Sequence, residues 1–265
     1  MRTLPATLLS MMLPLAAGAQ VLYDPATTNT NPALTGWLGG SVLGASASYG
    51  SSGALLTPAS NAAVAGWSSY PALLALDGSL PPVNAAFPVL DESVGYALTF
   101  GMTLANEDHS GNANRAGFSV MLIGSDRKGV EIGFQNDRIF AQNLVGNTFV
   151  AGESTTDPAF VAAAFAPNRW VLSVQGGSYV LSLDGQTVLS GAVHDYSSYT
   201  GNGSNAYKTP NFLFLGDNTT SAGATILLSY AEITTPVPEP GTGLLLGGGL
   251  LGLLAGRRRS GSRIS

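Results

Sequence analysis

The chain contains no cysteine, which excludes a disulfide framework, a thiol nucleophile and any thiolate-held metal or cluster. Histidine is nearly absent as well, with His109 and His194 the two in the chain. A zinc site takes three or four nitrogen, sulfur or carboxylate ligands, and two distant histidines do not make one. Charge is scarce: Asp, Glu, Lys and Arg together supply 10% of the residues. It is also uneven. Setting aside Arg2, Arg257, Arg258, Arg259 and Arg263 from the 11 basic residues, and Glu239 from the 16 acidic ones, leaves 6 against 15 and a body near −9. Without clustered Lys and Arg nothing neutralises phosphates, so nucleic acid is excluded as a partner. Missing too are a G-x-S-x-G nucleophile elbow, a convincing amphipathic helix and any repeat of fixed period.

Apolar residues make up 45% of the chain, enough for a sizeable core and too many for overall disorder. Gly, Ser, Thr, Asn and Ala fill the rest, as in exported β-proteins with many turns. Both ends read as addresses. The start, "MRTLPATLLSMMLPLAAGAQ", has a basic Arg2, an apolar stretch from Leu4 to Ala16, and small residues at Ala17 and Ala19. That is the pattern of a secretory signal peptide, 1–19, cleaved to leave Gln20 first; Pro5 and Pro14 would break a buried helix there. At the other end, Gly241 to Gly256 is uncharged and apolar and holds seven glycines. As a helix it would span ~24 Å at ~1.5 Å per residue, short of the ~30 Å hydrocarbon core. It is a poor permanent anchor and an adequate transient one. Arg257, Arg258 and Arg259 would keep the C-terminus cytoplasmic and place the body outside the inner membrane.

Val237-Pro238-Glu239-Pro240, the short Gly/Leu helix and the arginine cluster together resemble the PEP-CTERM sorting signal of Gram-negative bacteria that make exopolysaccharide. The resemblance covers 236–265. It implies recognition by an exosortase, a membrane-embedded cysteine enzyme, followed by delivery to the cell surface or extracellular matrix. Signal peptidase and exosortase are then the processing partners, and an exopolysaccharide or surface glycan the expected contact. An ordinary uncleaved single-span membrane protein is the competing reading.

Between the addresses, period-two patterns mark half-buried strands. "AGFSVMLIGS" puts Phe118, Val120 and Leu122 on one face; "VEIGF" puts Val130, Ile132 and Phe134 on one face and Glu131, Gly133 and Gln135 on the other, solvated one. "RWVLSVQGGSYVLSLDGQTVLSG" predicts three strands with hairpin turns at Gly176-Gly177 and Asp184-Gly185. "GYALTFGMTL", "DRIFAQN", "NFLFLGDN" and "ATILLSYAEIT" complete the set, while Gln20 to Val94 predicts one strand near Gly40 to Tyr49 and Pro- and Ser-rich loops. The fold expected for 20–235 is a single all-β domain, an antiparallel sandwich. The segment order from the Trp170 hairpin to "PNFLFLGDNTTSAGATILLSYAEI" resembles the concanavalin-like lectin/glucanase jelly roll. "RAGFSVMLIGSDRKGVEIGFQNDRIFAQ" is similar to bacterial choice-of-anchor domains.

That resemblance raises an enzyme reading. Retaining glucanases place two glutamates four residues apart on one strand, as Glu-Ile-Asp-x-Glu, and need both carboxylates. Here the run is Glu131-Ile132-Gly133-Phe134-Gln135, one carboxylate short. The expectation is therefore a non-enzymatic body with no catalytic residues. Calcium is the one candidate cofactor: Asn106, Glu107, Asp108, Asn112 and Asn114 in one loop, with Asp217, are oxygen donors suited to a hard cation, although Asx residues also favour turns. Trp67, Tyr196, Tyr199 and Tyr207 are candidates for an exposed aromatic sugar platform, Trp170 and, as the alternative, Trp67 for the core, and His194 for a satisfied surface histidine.

Overall fold

Short turns such as Gly176-Gly177 and Asp184-Gly185 join neighbouring strands of this chain as antiparallel hairpins. The computed structural model describes residues 16–71, 80–201 and 204–237. The strands are β1 (Ala16–Tyr23), β2 (Gly39–Leu43), β3 (Ala45–Gly50), β4 (Gly53–Pro58), β5 (Val64–Ser68), β6 (Tyr96–Asp108), β7 (Phe118–Ile123), β8 (Lys128–Phe134), β9 (Ile139–Val145), β10 (Thr148–Thr155), β11 (Asn168–Gln175), β12 (Ser178–Leu183), β13 (Gln186–Ala192), β14 (His194–Asp195), β15 (Phe212–Asp217) and β16 (Gly223–Val237). Two short helices, α1 (Pro158–Ala164) and α2 (Ser204–Tyr207), interrupt them.

Sheet A runs β13-β12-β11-β6-β16-β4-β3, with β1 also on β16; sheet B runs β10-β9-β8-β7-β15-β5-β2, with β14 also on β8. The two antiparallel sheets stack as a sandwich within the unit Ala19–Thr235. Their facing sides enclose one large apolar cluster. At its centre Phe134 of β8 meets Trp170 of β11 edge-on at 5.2 Å, Phe118 of β7 at 5.6 Å and Phe100 of β6 at 6.1 Å. All four rings are fully buried, and such pairs add about 0.5–1.5 kcal/mol each beyond the area they bury.

The hairpin turns form where the sequence places them. Gly176, Gly177, Asp184 and Gly185 all adopt positive φ, as primed two-residue turns require. The inward faces of β7 and β8 are also as read: Phe118, Val120, Leu122, Val130, Ile132 and Phe134 all join the inter-sheet core.

Two expectations need correction. Strands β7, β8 and β15 are not half-buried, because a second apolar cluster of Tyr70, Met121, Ile123, Tyr196, Tyr199, Tyr207, Phe212 and Phe214 covers the outer face of sheet B. The stretch near Gly40 to Tyr49 holds two strands instead of one. Gly44, at φ 72°, turns the chain between β2 in sheet B and β3 in sheet A. Helix α1 was also not expected. Asp157 caps it by accepting a bond from Ala159 N at 2.9 Å, and Pro158 opens it, which is favourable at a first helical position.

Replacing Phe134 with Ala should cost about 3–5 kcal/mol of unfolding free energy in a denaturant titration, since the ring touches aromatic partners from both sheets and the space cannot collapse. A loss below about 1 kcal/mol would mean that the aromatic cluster does not hold the sheets together.

Candidate functional site

The outer face of sheet B collects the polar groups that chemistry would need. Glu131 of β8 pairs across the ladder with Met121 of β7, and its side chain is 2% exposed. That corrects its expected solvent-facing position. Arg115, just before β7, brings Nη2 within 3.3 Å of Glu131 Oε1. The same Nη2 donates to Asn218 Oδ1 at 2.8 Å, and Nη1 donates to Gln142 Oε1 at 3.2 Å. Asn218 Nδ2 donates to Glu131 Oε1 at 3.0 Å, and the Tyr207 hydroxyl donates to Glu131 Oε2. Burial opposes the charge on Arg115, but Glu131, the Tyr207 phenol and Asp217 outweigh it, so the guanidinium is held protonated.

Aromatic rings close over this pair. Arg115 lies 4.6 Å from the centre of the Phe149 ring, a cation–π contact. Tyr207 packs against Phe149 and Tyr196 at 5.0 Å and against Tyr199 at 5.4 Å. Tyr196, Tyr199 and Tyr207 are all buried; they are not the exposed platform expected of them but the cover of the cluster. Burial, then the nearby Glu131, pushes the Tyr196 and Tyr207 phenols well above their usual value. Trp67 is likewise buried, in the inter-sheet core.

The rest of the glucanase-like run is committed to structure. A Cβ on Gly133 would lie 2.7 Å from Phe140 Cζ and 3.1 Å from Ala116 Cβ, so an aspartate there would require the Phe140 ring to move. Gln135 Nε2 donates to Ala113 O and Arg115 O at 3.0 and 2.7 Å, and its Oε1 accepts from Arg138 Nε at 2.5 Å. It clamps the loop that presents Arg115. The carboxyl of Asp217 points to the other side of the sheet, into a cavity of about 10 Å³ lined by Ala65, Ala224 and Ile226 among others. The arrangement holds one carboxylate as a counter-ion.

The loop read for calcium spends its oxygens internally. Glu107 Oε2 accepts from His109 Nδ1 at 3.0 Å and Asn136 N at 2.8 Å, and Oε1 accepts from Gly117 N at 3.3 Å. Asp108 accepts from Ser110 N and Asn61 Nδ2, both at 2.8 Å. Asn112 and Asn114 accept from Asn114 N and Ala151 N, at 2.9 and 3.1 Å, while Asn106 takes a positive φ of 52° at the strand end. Among the described residues no three His, Asp or Glu side chains converge as a metal site. His194, read as a satisfied surface residue, is half-buried with Nε2 unpartnered, and burial lowers its pKa. Of the processing residues, Ala17, Ala19 and Gln20 lie in β1 and Val237 ends β16. Pro238, Glu239, Pro240, Arg257, Arg258, Arg259 and the span 241–256 lie outside the described residues, among which no helix is long and apolar enough to cross a membrane.

The body is a two-sheet antiparallel β-sandwich, a fold with counterparts among solved structures. It is similar to a carbohydrate esterase from the Shiga toxin-encoding bacteriophage phi24B, with a TM-score of 0.50 and 12% identity over 83% of this chain and 100% of that one. A β-glucanase from Bacillus licheniformis (TM-score 0.43, 12% identity, 82% of this chain and 98% of that one) and the carbohydrate-binding module CBM66 from Bacillus subtilis (0.41, 9%, 73% and 94%) are also similar. At these identities the likeness is one of fold. Residues 236–259 match the PEP-CTERM protein-sorting motif, so the C-terminus carries the signal of an exosortase substrate. No curated protein matches the chain in sequence.

Asp217 gives a pH-dependent stability. Burial raises its pKa from 3.8 to about 8, against the lowering effects of the Thr219 N–H and Arg115 and with a raising one from Glu107. The folded protein therefore retains a proton that the unfolded chain releases near 3.8, and this group's contribution to stability falls as pH rises between those values, then levels off. Asp217→Asn should flatten the fall in melting temperature between pH 5 and 8, as read by scanning calorimetry across about that range. An unchanged slope would show that Asp217 ionises normally.

Proposed function

We propose that the chain is exported by its N-terminal signal, held briefly at the inner membrane by residues 241–256, and processed by an exosortase. Its body then serves as a non-enzymatic, structural or adhesive component of the cell surface or exopolysaccharide matrix. The match of residues 236–259 to the PEP-CTERM motif carries the delivery part. Glycan is the ligand class we assign to the body, because the fold is one it shares with a carbohydrate esterase; contact with a polymer would use its exposed surface.

The non-enzymatic reading rests on Glu131. A double displacement needs two carboxylates about 5–5.5 Å apart beside open substrate space, and inversion needs two about 6.5–9.5 Å apart. Glu131 instead faces a guanidinium, an amide and a phenol beneath a tyrosine cover. Among the described residues no second carboxylate is hydrogen-bonded or ion-paired beside it, and the alternate positions along β8 hold Gly133 and, just beyond it, Gln135.

Intact mass of the full chain, expressed with and without an exosortase and recovered from medium and membranes, tests the delivery. The expected result is an exosortase-dependent loss of mass corresponding to residues beyond about Pro240, with the shortened body outside the cell. An unprocessed chain in the membranes of both hosts would make 241–256 a lasting anchor and remove the matrix role.

A further inference from the structure

The sorting motif follows the last strand without a linker: β16 ends at Val237, and Pro238 of the Pro-Glu-Pro comes next. The ladder of β16 with β6 runs to Thr234↔Ala97, one residue from the start of β6 at Tyr96, and β4 pairs with β16 at 226–228. Pro236 and Val237 therefore run past both of these neighbours while still belonging to the strand. The other strand on β16, among the described residues, is β1. Residues 16–18 of β1 and residues 236 and 237 of β16 belong to one compact unit. The start of β1 is thus the partner that holds the end of β16.

Cleavage after Ala19 divides β1 into two halves. The second half stays with the body: Leu22 and Tyr23 are fully buried in the inter-sheet core, and the Tyr23 hydroxyl donates to Thr30 O at 2.9 Å. The first half is Ala16, Ala17, Gly18 and Ala19. These residues carry no large side chain, so what they give β16 is a ladder of backbone bonds. That ladder bears on processing. A protein that takes an extended peptide binds it through the peptide's own backbone groups, and a paired segment is cut only as often as its pairing opens.

We propose that this ladder orders the two processing steps: while residues 16–19 remain, they pair with the end of β16 and withhold the lead-in to Pro238 from the exosortase. Hydrolysis of the Ala19–Gln20 amide consumes one water and leaves a carboxyl on Ala19 and an amine on Gln20. The departing segment takes the partner of Pro236 and Val237 with it, and the lead-in becomes an unpaired extended chain. Residues 20–23 keep their place, so the body is unchanged. Signal peptidase in turn acts before β1 closes on β16, because its own target bond lies within the same strand. The order rests on the export and sorting proposed above, and adds to them a contact by which one end of the chain masks the other.

Ala19 is exposed, so Ala19→Tyr leaves β1 extended while placing a large residue where signal peptidase needs a small one. The full chain is expressed with an exosortase, and intact mass reads both ends. The parent should lose residues 1–19 and those beyond about Pro240. Ala19→Tyr should keep its N-terminal residues, with C-terminal cutting reduced about tenfold, the factor that ~1.4 kcal/mol of pairing imposes. Adding Gly18→Pro to Ala19→Tyr removes a donor from the strand interior and should restore C-terminal cutting while the N-terminal residues stay attached. All three should show the same circular dichroism. An Ala19→Tyr chain cut at its C-terminus as fully as the parent overturns the proposal. So does an uncut Ala19→Tyr/Gly18→Pro chain, which would assign the block to the attached signal peptide itself. A parent that keeps its C-terminus beside the exosortase removes the sorting reading, and the order falls with it.

Discussion

An ion pair held out of water, Glu131 with Arg115, sets the terms for the outer half of this protein. Removing two charges from solvent costs several kcal/mol per ion after relaxation, and only close geometry with further hydrogen bonds offsets it. Those bonds come from Asn218, Gln142 and Tyr207, which belong to segments far apart in sequence. The chain after β14 must therefore fold back over sheet B to deliver Tyr207, and it brings Tyr196 and Tyr199 with it. Their rings and Phe149 exclude the water that would otherwise weaken the pair. A second apolar cluster follows from that closure, and with it central strands β7, β8 and β15 buried on both faces.

The same constraint bears on the non-enzymatic role proposed for the body. Glycoside hydrolysis uses two carboxylates beside open substrate space, whereas Glu131 is sealed against the Arg115 guanidinium. The residues that would have to change are already occupied: Gly133 by the close approach of Phe140, and Gln135 by Ala113, Arg115 and Arg138.

Much of this was legible in the sequence, for definite reasons. Hairpins at Gly176-Gly177 and Asp184-Gly185 are local events fixed by backbone conformation, and the Phe118/Val120/Leu122 stripe is a simple period of two. The N-terminal strands were not, since β4 and β5 are held by partners distant in sequence, β4 pairing with β16 and β5 with β15, and small residues such as Ala54 and Gly66 carry little pattern. Helix α1 did leave a signal in Asp157-Pro158, a cap followed by a first-turn proline. Glu131 was placed on the correct face but given the wrong surroundings, because nothing local reveals that Arg115 and Tyr207 converge on it. The aromatic "HDYSSY" segment was likewise read as display when it is cover. The run of oxygen-rich residues from Asn106 to Asn114 shows the limit from the other side: the composition suits a cation, while the structure spends the side-chain oxygens of Glu107, Asp108, Asn112 and Asn114 on turns and straps.

The most direct measurement is a double-mutant cycle on the sealed pair, comparing unfolding free energies of Glu131→Gln, Arg115→Met and the two combined. The account predicts that each single change costs about 3–5 kcal/mol, because each leaves one desolvated or unpaired partner, and that the double variant loses far less than their sum. A Glu131→Gln protein as stable as the parent, or more so, would contradict it, since that is the behaviour of a carboxylate retained for catalysis at the expense of stability.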